Sequence, residues 1–83
     1  MENLAQQGGV WAIRHARMEI LLNGERKAIE EHTSLAALLL QLGLEGQPVA
    51  VEMNGRIVRR QYHANTLLFE GDKLEIVTFV GGG

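Results

Sequence analysis

The 83-residue sequence predicts an α+β domain in which a mixed sheet of four to five strands packs on one main helix. Three observations carry this expectation. Asn-Gly pairs at 23–24 and 54–55 each separate two short β-prone runs, the signature of tight hairpins. Leu35, Leu38, Leu39 and Leu42 recur at i, i+3, i+4 and i+7, one apolar helical stripe. Residues 74–80 (LEIVTFV) form the most β-prone run in the chain. A helix striped with leucine must bury that stripe, and the apolar face of a sheet is the complementary surface.

Taken in order, residues 18–22 and 25–30 are expected to be two antiparallel strands joined at Asn23-Gly24. Ser34 is the helix N-cap candidate, and Gly43 can end the helix in a left-handed conformation. No Glu or Gln stands three residues after Ser34, so the capping box is absent and leucine packing must hold the helix. After Pro48 come a strand over 49–53, a turn at Asn54-Gly55 and a short strand over 56–59. Residues 61–66 show no period, and Gly71-Asp72 turns the chain into the last strand. This is the order of the β-grasp, or ubiquitin-like, fold, in which the last strand commonly lies centrally and parallel to the first.

Residues 1–17 differ in character from the rest of the chain, with Gln6, Gln7, Gly8, Gly9, Trp11, Arg14 and Arg17, and read as an N-terminal extension to a domain over 18–83. Alternation of Val10, Ala12 and Arg14 with Trp11, Ile13 and His15 could lengthen the first strand, while a leader or tag is the other reading. Removing the two arginines and one glutamate of the extension leaves six basic and nine acidic residues in 18–83, a count of −3. That balance suits a basic protein surface and argues against nucleic acid, which needs clustered Lys and Arg. The absence of cysteine excludes disulfides, thiolate metal sites and a cysteine nucleophile. The longest apolar run, 35–40, is far too short to cross a membrane, and 1–17 lacks the apolar core of a secretory signal, so a cytoplasmic protein is expected.

The feature that bears most on function is Gly81-Gly82-Gly83, directly after the last strand. Three residues without Cβ can enter a channel too narrow for side chains, and a strand at their base would hold them while their carboxylate reaches a partner's active site. A loose linker is the alternative. Residues 18–83 resemble the ThiS family, the ubiquitin-like sulfur carriers of thiazole formation in thiamine biosynthesis. The resemblance is carried by MEILLNG at 18–24, SLAALL at 34–39, VAVEMNGRIVRR at 49–60, GDKLEIV at 71–77 and FVGGG at 79–83, in register with the tail. Where the family usually has proline, this chain has Arg59.

The resemblance implies that the Gly83 carboxylate is adenylated by a ThiF-like enzyme and converted to a thiocarboxylate. A persulfide would supply the sulfur, which then passes to a ThiG-like thiazole synthase. Gly81 and Gly82 would give the slim approach. The chain would be a carrier, not an enzyme, with no catalytic or metal-binding residues and no bound cofactor. ATP and magnesium would belong to the activating partner, because the Gly-rich segments here are followed neither by lysine nor by a helix. Period-two alternation with Leu74 and Ile76 inward puts Glu75, Val77 and Phe79 outward. Val77 and Phe79 are therefore the expected partner interface, together with Val80 at the base of the tail, and Arg59 and Arg60 rank second as contacts to an acidic partner. Carriers for molybdopterin synthesis or tRNA thiolation share the tail chemistry, as would protein modification through an isopeptide bond. A passive β-grasp binding module would not use the tail.

Overall fold

The computed structural model describes residues 16–79. Strands β1 (Arg17–Leu22) and β2 (Glu25–Glu30) pair antiparallel, with Leu22 opposite Glu25 across a two-residue turn. Asn23 (φ 51°) and Gly24 (φ 84°) both occupy the left-handed region. Tight hairpin turns demand this because it matches the twist of the flanking strands, and asparagine and glycine tolerate it best. β1 starts at Arg17, and the carbonyl of Ala16 accepts from Glu31 N at 2.8 Å, so strand pairing reaches into the segment read as an extension. The alternating residues from Val10 to His15 lie outside the described residues.

Helix α1 (Leu35–Gln41) begins where Ser34 Oγ accepts from Ala37 N at 3.0 Å, satisfying one of the orphan donors of the first turn. It ends at Gly43 (φ 76°), whose N–H reaches Leu40 O while Leu44 N–H reaches Leu39 O. These two bonds form a Schellman motif, which glycine permits without steric cost. Leu35, Leu38 and Leu39 point inward against Ile20, Ile29, Val51, Leu68, Leu74 and Ile76.

Strands β3 (Val49–Met53) and β4 (Arg56–Ile57) form the second hairpin around Asn54 (φ 52°) and Gly55 (φ 85°). The short strand expected over 56–59 stops at Ile57, and the segment without period contains a 3₁₀ helix, Arg60–Asn65. Hydrogen bonding explains both differences. Val58 N still donates to Val51 O, but Val58 O is taken by His63 Nε2 at 2.9 Å and Arg59 O by Tyr62 N. The backbone therefore turns out of the sheet. Arg59 sits at φ −70°, close to the value a proline ring imposes, so the turn keeps its shape without the proline.

Strand β5 (Lys73–Thr78) completes a sheet of order β2-β1-β5-β3-β4. It lies parallel to β1 (Leu22 opposite Leu74) and antiparallel to β3 (Val51 opposite Ile76). This is the expected β-grasp arrangement, with α1 on one face and the last strand at the centre.

Candidate functional site

The candidate site is the C-terminal end of β5. Leu74 is fully buried and Ile76 nearly so, and the two tie the strand to the core. Pairing with β3 runs to Thr78 opposite Val49, and Phe79 N then donates to Pro48 O at 3.1 Å. The backbone is thus held by hydrogen bonds to residue 79. Val80, Gly81, Gly82 and Gly83 lie outside the described residues.

Two asparagine side chains reinforce this strand. The parallel β1–β5 ladder covers only Leu21 and Leu22 against Lys73 and Leu74. Beyond it, Asn23 Oδ1 accepts from Ile76 N at 2.8 Å and Asn23 Nδ2 donates to Ile76 O at 3.3 Å. A side-chain amide carries the same donor and acceptor as a peptide, so Asn23 adds one rung where β1 has already turned away. At the start of β5, Asn54 Oδ1 accepts from Lys73 N, and Asn54 Nδ2 donates to Asp72 Oδ1, both at 2.9 Å. Each Asn-Gly turn therefore serves its own hairpin and also clasps the strand below the tail. Sequence reasoning identified the turns but not this second use. The choice of Asn at the first turn position was the available signal, and it is equally explained by turn chemistry alone.

The expected interface residues divide between surfaces. Val77 and Phe79 are both 57 % exposed. Val77 lies on the outer face of the sheet with Ala50, Glu52, Ile57 and Glu75. Phe79 instead borders a cleft of about 430 Å³ on the helix side, with Leu39, Leu44, Pro48 and Val49. The reason is local. The β alternation that would align Phe79 with Val77 ends at Thr78, where the strand does. Arg59 and Arg60 are exposed and also part. Arg60 lines the cleft with Phe79, whereas Arg59 borders a hollow with Met53, Ile57 and Tyr62. His63 is 6 % exposed and its Nε2 lies against Val58 O, a packing role that the sequence did not reveal. Among the described residues no group of three or more His, Cys, Asp or Glu side chains converges, and no helix is long and apolar enough to cross a membrane.

Comparison with known proteins fits this geometry. The family model described as the ThiS family matches residues 20–83. A thiazole synthase of Paramagnetospirillum magneticum is 42% identical over 66 residues, which cover 80% of this chain and 20% of that protein. The chain thus spans about a fifth of the thiazole synthases it matches. An uncharacterized protein, ycf40, of Pyropia yezoensis is 38% identical over 69 residues, 83% of this chain and 97% of that one. The solved structure of a thiamine biosynthesis protein, ThiS, from Geobacter metallireducens superposes with a TM-score of 0.68 at 30% identity, covering 80% of this chain and 100% of its own.

Proposed function

The chain belongs to the ThiS family, and on that basis we propose that it carries sulfur for thiazole formation in thiamine biosynthesis, with the Gly83 carboxylate as the attachment point. The observation that carries the proposal is the way β5 is built. It is buried by Leu74 and Ile76, paired on both sides, clasped by Asn23 and Asn54, and continued by the bond from Phe79 N to Pro48 O, immediately before a stretch that ends in three glycines. A rigid base with a slim end suits delivery of a backbone carboxylate into a narrow active site.

The chemistry follows from the carboxylate's poor reactivity. Its charge and resonance resist attack, so one oxygen first attacks the α-phosphorus of ATP, giving an acyl adenylate and releasing pyrophosphate. A persulfide attacking the acyl carbon expels AMP and forms an acyl disulfide, which a thiol reduces to the thiocarboxylate. No side chain of the carrier need act as base or nucleophile in these steps. MgATP, the persulfide and the thiol belong to partners, a ThiF-like adenylating enzyme and the sulfur donor. The names of the relatives support a thiazole synthase as the acceptor, because in those proteins a segment similar to this chain shares a polypeptide with that activity.

The test is intact-mass analysis of the chain after incubation with MgATP, a persulfide donor and the adenylating enzyme. Exchange of one oxygen for sulfur at Gly83 is expected, and deletion of Gly83 should abolish it. An unchanged mass for the wild-type chain, with an enzyme that modifies another member of the family, refutes the proposal.

A further inference from the structure

We propose that Trp11 packs into the hollow between the start of β1 and residues 67–70, so that the segment before the first strand closes one end of the domain rather than serving as a leader. The inference is independent of the carrier reading. The family model matches only residues 20–83, so family membership does not describe this part of the chain.

The hollow is framed by hydrogen bonds on both sides. Glu19 O accepts from Gly71 N at 2.8 Å and Glu19 N donates to Glu70 Oε1 at 2.9 Å, which lays this loop along β1. On the other side Leu68 N donates to Thr33 O at 3.0 Å and Leu35 N to Thr66 O at 2.8 Å. Between these walls lies a space of about 280 Å³, bordered by Arg17, Met18, Glu31, Leu67 and Phe69. Leu68 is buried in the core, while its neighbours Leu67 and Phe69 are 44 % and 64 % exposed. Two large apolar side chains on a rigid frame are thus left facing water.

Connectivity selects the occupant. Ala16 O accepts from Glu31 N, and both Glu31 and Arg17 border the hollow, so the chain enters β1 at its mouth. β2 offers no further ladder to the preceding residues, because it ends at Glu30 and His32 turns the backbone away at φ 67°. Residues 10–13 (VWAI) are the longest apolar run in the segment before Ala16 and hold the only tryptophan of the chain. Trp11 lies six residues before Arg17, a reach of at most about 22 Å. Val77 is out of range. Leu21 is four residues past Arg17 and pairs with Lys73, and Val77 is four past Lys73, about 26 Å along the sheet at about 3.3 Å per residue. Phe79 is farther along the same line. Leu21 is within reach, but it is only 36 % exposed and shares its face with the Arg26–Glu19 ion pair. Charge plays no part in the choice, since Arg17, Glu31, His32 and Glu70 give the rim both signs. A tethered segment also meets the hollow at an effective concentration of about millimolar, far above that of a second copy in dilute solution. An indole against Phe69 gains ring contact as well as burial.

The experiment is steady-state fluorescence of the full chain, in which all tryptophan emission comes from Trp11. Emission should lie to the blue of free N-acetyltryptophanamide, and acrylamide should quench it several times less efficiently. Both readings should be independent of protein concentration. The double variant Leu67→Ser/Phe69→Ser, which changes only exposed side chains, should return both to the values of the free amide. Phe79→Ser, at the far end of the sheet, should leave them as in wild type. Amide NMR spectra establish that each variant is folded, and in wild type nuclear Overhauser contacts should join the Trp11 indole to the Phe69 ring. Free-amide emission and quenching in the wild-type chain would overturn the proposal. So would blue emission that survives the double variant, which puts Trp11 against another surface. Blue emission that grows with protein concentration would also overturn it, making the occupant a second copy.

Discussion

Replacing Asn23 tests how the base of the tail is held. In Asn23→Gly the left-handed backbone survives, since glycine accepts φ 51° without strain, but both amide contacts to Ile76 disappear. Ile76 N loses its 2.8 Å acceptor at a partly buried position, and a donor stranded in this way costs about 1 to 3 kcal/mol. The 3.3 Å contact from Asn23 Nδ2 is long and adds little. Asn23→Ala loses the same contacts and also places a Cβ in the left-handed region, at about 1 to 2 kcal/mol. Glycine escapes that strain but gives up about 0.4 to 1 kcal/mol through the greater freedom of its unfolded chain. The alanine variant should therefore fall below the glycine variant by about 0.8 kcal/mol at mid-range and by at most about 1.6 kcal/mol. A single core of this size supplies only about 3 to 5 kcal/mol, so either loss is a large share of the total. Urea denaturation should show a lower midpoint at unchanged m for both variants, in the order wild type, Gly, Ala. Hydrogen exchange should show the Ile76 amide losing protection out of proportion to its neighbours. Losses below about 0.5 kcal/mol with Ile76 still protected would mean that water replaces the amide freely and that Asn23 is only a turn residue.

Three further outcomes are expected. Ser34→Ala removes the acceptor for Ala37 N and should cost about 1 kcal/mol in urea denaturation, the usual value of an N-cap. Arg59→Pro should raise stability by about 0.4 to 1 kcal/mol, because φ is already −70° and Arg59 N donates no backbone hydrogen bond among the described residues, so the ring removes only unfolded-state freedom; a lower midpoint would contradict this. Asn54→Asp sets a second carboxylate against Asp72 where an amide now donates to it. The pair resists double ionisation, so the folded state holds a proton more tightly than the unfolded chain does and one carboxyl titrates above its ordinary range. The variant should thus be less stable than wild type at neutral pH and recover as pH falls through that raised value, which melting curves from pH 7 to pH 4 would register.

The parts of the fold legible in the sequence are those whose cause lies within a few residues. Asn23-Gly24 and Asn54-Gly55 specify their turns by the backbone conformations they tolerate, Ser34 caps a donor three residues away, and the leucine spacing identifies the buried face of α1. β4 and the 3₁₀ helix were not legible to the same degree. Val58 could have continued the strand, but the buried His63 ring occupies its carbonyl and Tyr62 N takes that of Arg59, where the chain turns aside. The 3₁₀ helix has no apolar period because it buries a single residue, His63.

The same division runs through the candidate site. Composition and the two-residue period of a strand are enough to establish that a strongly β-prone segment precedes three glycines and that Leu74 and Ile76 face the opposite way from Val77. The element order already implies a central β5, but tertiary packing alone lets Asn23 reach 53 positions along the chain to bind Ile76 and takes Phe79 off the face of Val77 to the edge of a cleft against α1. Those arrangements depend on which distant groups remain unpaired once the sheet closes and on where the last ladder bond falls. Neither quantity exists until the whole chain has packed.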